Sequence, residues 1–207
     1  MPTVHLTGAP MTVDILPVAG TVSHLPPPPG GRWTVADYER LPDDGQRYEL
    51  IEGDLRMAPA PNPDHQHVSG LIFYYLMQYV QMAGHRRVFT APIDVELSPV
   101  TIVQPDVVVL LRGGAATITA QRIVGPPDLV VEVVSPGTAS YDRREKRDLY
   151  AAAGVREYWI ADPGHRAVEL LTLEGAVYRA EHVYRGQAII PSLVVPGWNV
   201  ATDLLFG

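Results

Sequence analysis

One acidic residue lies inside a segment that has the pattern of a buried strand. Residues 128–134, DLVVEVV, carry β-branched side chains on both faces, which is typical of a strand in the interior of a sheet. Glu132 lies in the middle of this segment. An ionised carboxylate costs several kcal/mol in such a place unless a cation or a hydrogen-bond network compensates. Glu132 is therefore the first candidate for a residue with a chemical role.

The segment that follows can bring a cation to this carboxylate. Residues 135–137 (SPG) interrupt the strand, and a helix is predicted over residues 141–153, ended by Gly154. The apolar stripe of this helix contains Tyr150, and extending the stripe backwards at helical spacing puts Lys146 and then Asp142 on the same side. The helix is therefore expected to aim a lysine and an aspartate at the end of the strand that carries Glu132.

Lys146 is also unusual in composition. The chain has sixteen basic residues, and Lys146 is the only lysine among them. A retained lysine in a chain that otherwise uses arginine suggests a need for a compact ammonium group. The alternative is an exposed Asp142 and Lys146 pair one helical turn apart, which would add only a few tenths of a kcal/mol.

Three further residues are candidates with two interpretations each. Asp106 follows Pro105 and should begin a strand, where it either contributes to a site or caps a turn. Glu49 lies in the first strand of a predicted hairpin, where its spacing favours the solvent side. His65 continues the buried face of a helix that Asp64 can cap and that reaches about residue 83, and it either touches a site or packs at the start of the helix.

Composition limits the possible functions. The 207 residues suffice for one domain, and the absence of cysteine excludes disulfides, thiolate metal sites and a cysteine nucleophile. The formal charge of −7 gives no support to binding of a nucleic-acid backbone. No apolar run is long enough to span a membrane and no secretory signal is evident, so a cytoplasmic protein is expected.

The order of elements indicates an α/β or α+β sheet with helices packed on it. Residues 1–31 contain a run of four prolines and are interpreted as a flexible tail, which leaves residues 32–207 as one domain. A short helix is predicted from Thr34. Strands are predicted at residues 48–51, 54–57, 87–97, 101–111, 128–134, 157–161, 166–173, 176–184 and 188–194.

Five short motifs in this order resemble the Uma2 family of restriction-endonuclease-like proteins, within the PD-(D/E)XK nuclease superfamily. The motifs are YELIEGDL (48–55), PNPDHQ (61–66), VQPDVVVL (103–110), PDLVVEVVSPGT (127–138) and YDRREKRDLYAAAGVREYWIADP (141–163). The resemblance covers the chain from about Trp33 to its end. It implies a restriction-endonuclease-like core, a mixed sheet flanked by helices with additional antiparallel hairpins.

The resemblance also implies roles for single residues. Asp106 matches the aspartate of the PD motif, Glu132 the second acidic residue, and Glu49 the glutamate from the amino-terminal part of such sites. The superfamily usually places its lysine two residues after the second acidic residue, where this chain has Val134. In sequences of this family the lysine is moved to the following helix, which implies Lys146.

The implied function is metal-dependent hydrolysis of phosphodiester bonds in DNA. Asp106 and Glu132 would hold Mg²⁺, with Mn²⁺ as a substitute, and Glu49 and Lys146 would complete the catalytic set. One alternative is a catalytically inactive module of the same fold that binds nucleic acid or a protein. Another is hydrolysis of a small nucleotide, although no GxxxxGK[ST] loop is present. A homodimer would allow both strands to be cut.

Overall fold

The structure, a computed structural model, describes residues 23–28, 30–58, 60–134 and 145–207. These residues form two mixed sheets with helices packed against them. The helices are α1 (Val35–Tyr38), α2 (Pro63–Leu76), which continues as a π-helix (Met77–Met82), α3 (Arg147–Ala153) and a 3-10 helix (Thr202–Leu205). No helix in these ranges is long and apolar enough to cross a membrane.

The first sheet has seven strands and contains both strands of the predicted amino-terminal hairpin. Its strands are β1 (Ser23–His24), β2 (Arg47–Ile51), β3 (Asp54–Ala58), β5 (Val95–Ser98), β6 (Thr101–Val103), β8 (Thr117–Ile118) and β9 (Ile123–Val124). They lie in the order β1-β3-β2-β6-β5-β9-β8, with β5 and β9 parallel and the other pairs antiparallel.

The second sheet has six strands and contains the strand that carries Glu132. Its strands are β4 (Arg86–Thr90), β7 (Val107–Leu111), β10 (Leu129–Val133), β11 (Glu157–Asp162), β12 (Ala167–Glu174) and β13 (Val177–Arg185). They lie in the order β13-β12-β11-β10-β7-β4, with β10 and β11 parallel and the other pairs antiparallel.

The buried side chains form a layer between the sheets and a layer on each outer face. The inner cluster joins residues of both sheets, such as Ile51 and Val130, to Tyr150 of α3. A second cluster packs α2 onto the other face of the second sheet, and a third packs α1 and Leu25 against the first sheet. The strand β10 is therefore covered on both faces, as its β-branched pattern predicted.

Several predicted boundaries are confirmed and others are wrong. Thr34 caps α1 in a reciprocal capping box with Asp37, as expected for a helix that starts there. The hairpin β2–β3 turns at Glu52 and Gly53, whose φ angles of 50° and 83° suit a tight two-residue connection. The cap of α2 is Asn62 rather than Asp64, because Pro63 begins the helix and the Asn62 side chain accepts a hydrogen bond from the His65 backbone.

Two long predicted strands are each divided between the sheets. The predicted strand at 87–97 becomes β4 and β5, and the one at 101–111 becomes β6 and β7. Pro92 and Pro105 lie in the two interruptions, where the missing backbone N–H ends the ladder. The strand predicted at 188–194 is wrong. Only an isolated bridge between Ile189 and Ala201 forms there.

The ends of two other predicted segments lie partly outside the described residues. The strand β1 pairs with β3, and the Leu25 N–H bonds to the carbonyl of Leu55, so residues 23–25, which precede the boundary predicted at residue 32, contact the first sheet. Residues 1–22 are outside the described part. So are residues 135–144, which contain Asp142 and the predicted start of the helix that carries Lys146.

Candidate active site

Alternation along two strands directs two carboxylates into the layer between the sheets. Glu132 follows Val130 by two positions on β10, and Glu49 precedes Ile51 by two positions on β2. Val130 and Ile51 both belong to the inner cluster. Since side chains two positions apart on a strand share a face, both carboxylates point between the sheets. Both are buried, at 4% exposure for Glu132 and 7% for Glu49.

Lys146 joins these two carboxylates. Its Nζ lies 2.9 Å from Glu132 Oε1 and 3.1 Å from Glu49 Oε1. Lys146 is 5% exposed, and it lies one helical turn before Tyr150, which also faces the inner cluster. The helix therefore directs Lys146 at Glu132, as its apolar stripe predicted. The interpretation of Lys146 as an exposed residue is wrong, and so is the solvent-side position favoured for Glu49.

Hydrogen bonds from neutral donors also stabilise these buried carboxylates. The Tyr150 hydroxyl donates to Glu132 Oε1 at 2.7 Å, and the Gln104 backbone N–H donates to Glu49 Oε1 at 2.9 Å. Burial raises the pKa of Tyr150 well above its usual value, and the charge of Glu132 raises it further. The phenol therefore keeps its proton and remains a donor.

Asp106 lies directly before β7, beside the Glu132 strand. The pairing of Val107 with Val131 puts the next position of each strand, Asp106 and Glu132, at the same end of the ladder. Asp106 is 7% exposed, and its Oδ2 accepts a hydrogen bond from the Val133 N–H at 2.8 Å. The carboxylate thus bonds to the neighbouring strand rather than capping its own turn.

Two residues that sequence reasoning did not favour also contact this group. His65 Nε2 lies 3.1 Å from Asp106 Oδ2, although the sequence favoured a packing role for His65. Tyr150 was predicted only as part of an apolar stripe, yet its hydroxyl binds Glu132. Its position one turn after Lys146 on the same helix face could have predicted this contact with the site.

The donor atoms fit a hard divalent cation in part. Among the described residues, Asp106 Oδ1 and Glu49 Oε2 accept no hydrogen bond, whereas their second oxygens do. Carboxylate oxygens suit Mg²⁺ and Mn²⁺, and Mg²⁺ is commonly held by one or two carboxylates together with water and substrate phosphate. No group of three or more His, Asp or Glu side chains within the described ranges is arranged to hold a metal ion.

A cleft of about 700 Å³ lies between α3 and the first sheet, and none of Glu49, Asp106, Glu132 and Lys146 is part of its lining. Its wall contains Ile51, which lies two positions after Glu49. The wall also contains Glu145, which directly precedes Lys146, and Leu149, which lies three positions after Lys146. Arg56 also lines the cleft and bonds to Glu145 at 2.7 Å. The cleft therefore adjoins the chain segments that carry Glu49 and Lys146.

One solved structure has a fold similar to that of this chain. A crystal structure described as a putative nuclease belonging to DUF820 from Anabaena variabilis ATCC 29413 is similar, with a TM-score of 0.71 at 18% sequence identity. The similarity covers 84% of this chain and 97% of that one, and shows that the two share a fold. None of the curated proteins matches this chain.

The sequence model of one family, described as "Uma2: Putative restriction endonuclease", matches residues 35–203. The match includes both sheets from β2 onward and every candidate site residue. The mixed α/β fold with helices on its sheets is consistent with a restriction-endonuclease-like core, as predicted. The chain belongs to the Uma2 family.

Proposed function

We propose that this protein is a metal-dependent endonuclease that hydrolyses phosphodiester bonds in DNA. The observation that carries the proposal is the contact of one buried lysine with two buried carboxylates from different sheets, beside Asp106. Family membership supports nuclease activity. The requirement for a metal and the choice of DNA are our inferences from the chemistry of these side chains.

The charges of the buried side chains favour a divalent cation at this site. The described side chains include three carboxylates, Glu49, Asp106 and Glu132, and one ammonium group, Lys146. When all four are ionised, these four groups carry a net charge of −2, which is costly in a buried environment. A divalent cation bound to the carboxylate oxygens would offset part of this cost.

Asp106 and Glu132 would hold the Mg²⁺ ion. When bound, the ion lowers the pKa of a water molecule and neutralises charge on the phosphate oxygens. Asp106 is held by the Val133 N–H through Oδ2, which leaves Oδ1 for the ion. Glu132 is fixed by Lys146 and Tyr150 on the side of Oε1.

Lys146 and Glu49 would act on the substrate and the attacking water. The Lys146 ammonium supplies positive charge next to the developing charge on the phosphate, where a fixed cation is most effective. Glu49 Oε2 can accept a proton from the attacking water while the water oxygen forms its bond to phosphorus. The bond between phosphorus and the leaving sugar oxygen breaks in the same displacement.

An alternative function is a catalytically inactive module that binds nucleic acid or a protein. It is favoured by the absence of a three-residue metal cluster among the described side chains and by the formal charge of −7. Calorimetric titration with Mn²⁺ separates the two functions. A nuclease binds the ion with the stoichiometry of its site. An inactive module that has lost its metal site gives no heat of binding above that of dilution.

A plasmid-nicking assay tests the proposed function. We expect the wild-type protein to nick supercoiled DNA with Mg²⁺ or Mn²⁺ and to lose activity in a chelator. The double variant Glu132→Ala, Lys146→Ala removes one charge of each sign and should lose at least about 100-fold in rate. The matched control is Glu174→Ala, Arg179→Ala, which removes an exposed ion pair. Equal nicking by wild type and the site variant would end the proposal.

A further inference from the structure

The start of α2 holds one imidazole ring in a fixed place. The Asn62 side chain accepts the His65 backbone N–H at 2.8 Å, and Pro63 fixes the first helical turn. His65 therefore has little backbone freedom. Its side chain is 12% exposed, and its Nε2 points at Asp106 Oδ2 at 3.1 Å.

Both ring nitrogens of His65 have polar neighbours. Nε2 faces Asp106, and Nδ1 lies 3.4 Å from the hydroxyl of buried Ser69, one turn further along the helix. An ionised carboxylate only accepts hydrogen bonds, so a hydrogen bond between the two side chains requires the proton on Nε2. In the neutral ring Nδ1 is then an acceptor, and the Ser69 hydroxyl can donate to it.

Packing alone does not account for this arrangement. Val68, Ile72 and Leu76 of α2 pack into the hydrophobic cluster under the helix, whereas His65 has a carboxylate and a hydroxyl as neighbours. An imidazole with a polar neighbour at each nitrogen is suited to orienting another group. The group it contacts is Asp106, whose Oδ2 also accepts the Val133 N–H. A second donor on Oδ2 would tie the carboxylate further, because rotation to exchange its oxygens would then break two hydrogen bonds.

We infer that His65 is a positioning residue that donates from Nε2 to Asp106 Oδ2 and keeps Asp106 Oδ1 turned toward the metal site. The consequence for metal binding rests on the proposed function. The 3.1 Å contact between His65 Nε2 and Asp106 Oδ2 does not rest on it. Partners in the layer behind a ligand typically change metal affinity by about 10- to 100-fold when they are removed.

Three substitutions at one position separate this role from a structural one. His65→Gln places an amide N–H near the position of Nε2, whereas the shorter amide of His65→Asn cannot reach Asp106. His65→Ala removes the donor altogether. His67→Ala is the matched control, because His67 is an exposed histidine on the same helix. Denaturant unfolding of each variant shows whether it is folded before it is compared.

The first readout is the Mn²⁺ affinity of the full chain by calorimetry. We expect His65→Ala and His65→Asn to bind Mn²⁺ about 10- to 100-fold more weakly, His65→Gln to recover most of the loss, and His67→Ala to match the wild type. Wild-type affinity in folded His65→Ala would overturn the inference and leave the proposed function standing.

The second readout is the tautomer of His65 by nitrogen NMR without metal. We expect the proton on Nε2 in the wild type, and a changed His65 signal in Asp106→Ala. A proton held on Nδ1 would overturn the inference, whatever the metal affinities. A wild-type protein that binds no Mn²⁺ would contradict the proposed function instead. The NMR result alone would then show whether His65 donates a hydrogen bond to Asp106.

Discussion

Lys146 is the residue on which the site depends, because its ammonium group contacts a carboxylate from each sheet. Its Nζ lies within 3.1 Å of both Glu49 Oε1 and Glu132 Oε1, and all three side chains are buried. Removing water from three charges is costly, and the mutual attraction offsets this cost only while every partner is present. The stability of the fold and the chemistry of the site are therefore coupled at Lys146.

Lys146→Met should lower the free energy of unfolding by about 3–5 kcal/mol, because it leaves two buried carboxylates without their cation. Adding Glu132→Gln to this variant should restore part of the loss, so that the two effects are not additive. Urea unfolding measures both. The control is Arg156→Met, which removes the partner of buried Asp128. Arg156 is 58% exposed, and its loss should cost less than about 1 kcal/mol. Additive losses at Lys146 and Glu132 would contradict the coupling.

Sequence reasoning identified some of these residues and not others, for physical reasons. Glu132 was recognised because a charge in a doubly covered strand needs a partner, and Lys146 because helical spacing fixes its face. Glu49 fits the alternation of polar and apolar residues found in any half-buried strand. Its spacing therefore did not reveal that a second sheet covers the face on which Glu49 lies. The contact of His65 with Asp106 joins positions 41 residues apart, and local pattern does not fix such a contact.

At the scale of elements, the sequence predicted local units better than their assignment to sheets. The hairpin β2–β3, the helix α1 and the pair β12–β13 follow from local turn and capping signals. The division of β4 from β5 and of β6 from β7 depends on which sheet each half joins. Proline marks the interruptions, but it does not indicate that the chain crosses to another sheet.

The carboxyl-terminal segment is held to the second sheet by one buried carboxylate. Glu157, 1% exposed at the start of β11, accepts hydrogen bonds from the Ser192 hydroxyl, the Leu193 and Val194 N–H groups and Trp159 Nε1. These bonds satisfy the backbone N–H groups of Leu193 and Val194, in the segment where the sequence predicted a strand. The loop is therefore stabilised by a side chain that lies 35 residues or more earlier in the chain.

Glu157→Gln should destabilise the protein by about 1–3 kcal/mol, because an amide N–H must face donors that a carboxylate accepts. We expect a lower urea midpoint and faster proteolysis near Leu193, which is 75% exposed. Glu174→Gln, which alters an exposed glutamate paired with Arg179, should change neither. Equal behaviour of the two variants would show that Glu157 does not hold the segment.

At the scale of the whole molecule, the candidate site lies where the two sheets and α3 meet. Burial raises the pKa of three tyrosines, which are Tyr150 and Tyr178 in the inner cluster and the half-buried Tyr38 in the cluster of α1. The charges of Glu132, Glu157 and Asp94 add to this effect at Tyr150, Tyr178 and Tyr38 respectively. These phenols resist ionisation as long as the fold excludes water.

Alkaline pH should therefore unfold the protein through these groups. A phenol whose pKa is raised on folding contributes stability that is fully present below its unfolded pKa, near 10.0, and is lost as the pH rises toward the folded pKa. Ultraviolet absorbance should show part of the tyrosine ionisation only on unfolding, and Tyr150→Phe should reduce that part. Complete ionisation while the fold persists would contradict this expectation.

The resemblance of five ordered motifs predicted the family and the fold, which the family match and the shared fold confirm. The motifs cover the strands and helix that bring Glu49, Glu132 and Lys146 together. The amino-terminal strand β1 and the course of the carboxyl-terminal segment were not predicted, because they depend on long-range pairing and on Glu157 rather than on local pattern.

Anomalous diffraction from a crystal soaked in Mn²⁺ tests the central claim most directly. The claim is that Asp106 and Glu132 hold a divalent ion beside the buried Lys146. We predict an anomalous peak between the side chains of Asp106 and Glu132, which is lost in Glu132→Ala, Lys146→Ala crystals. A wild-type crystal with no peak there, or with its Mn²⁺ bound only elsewhere, would contradict the claim.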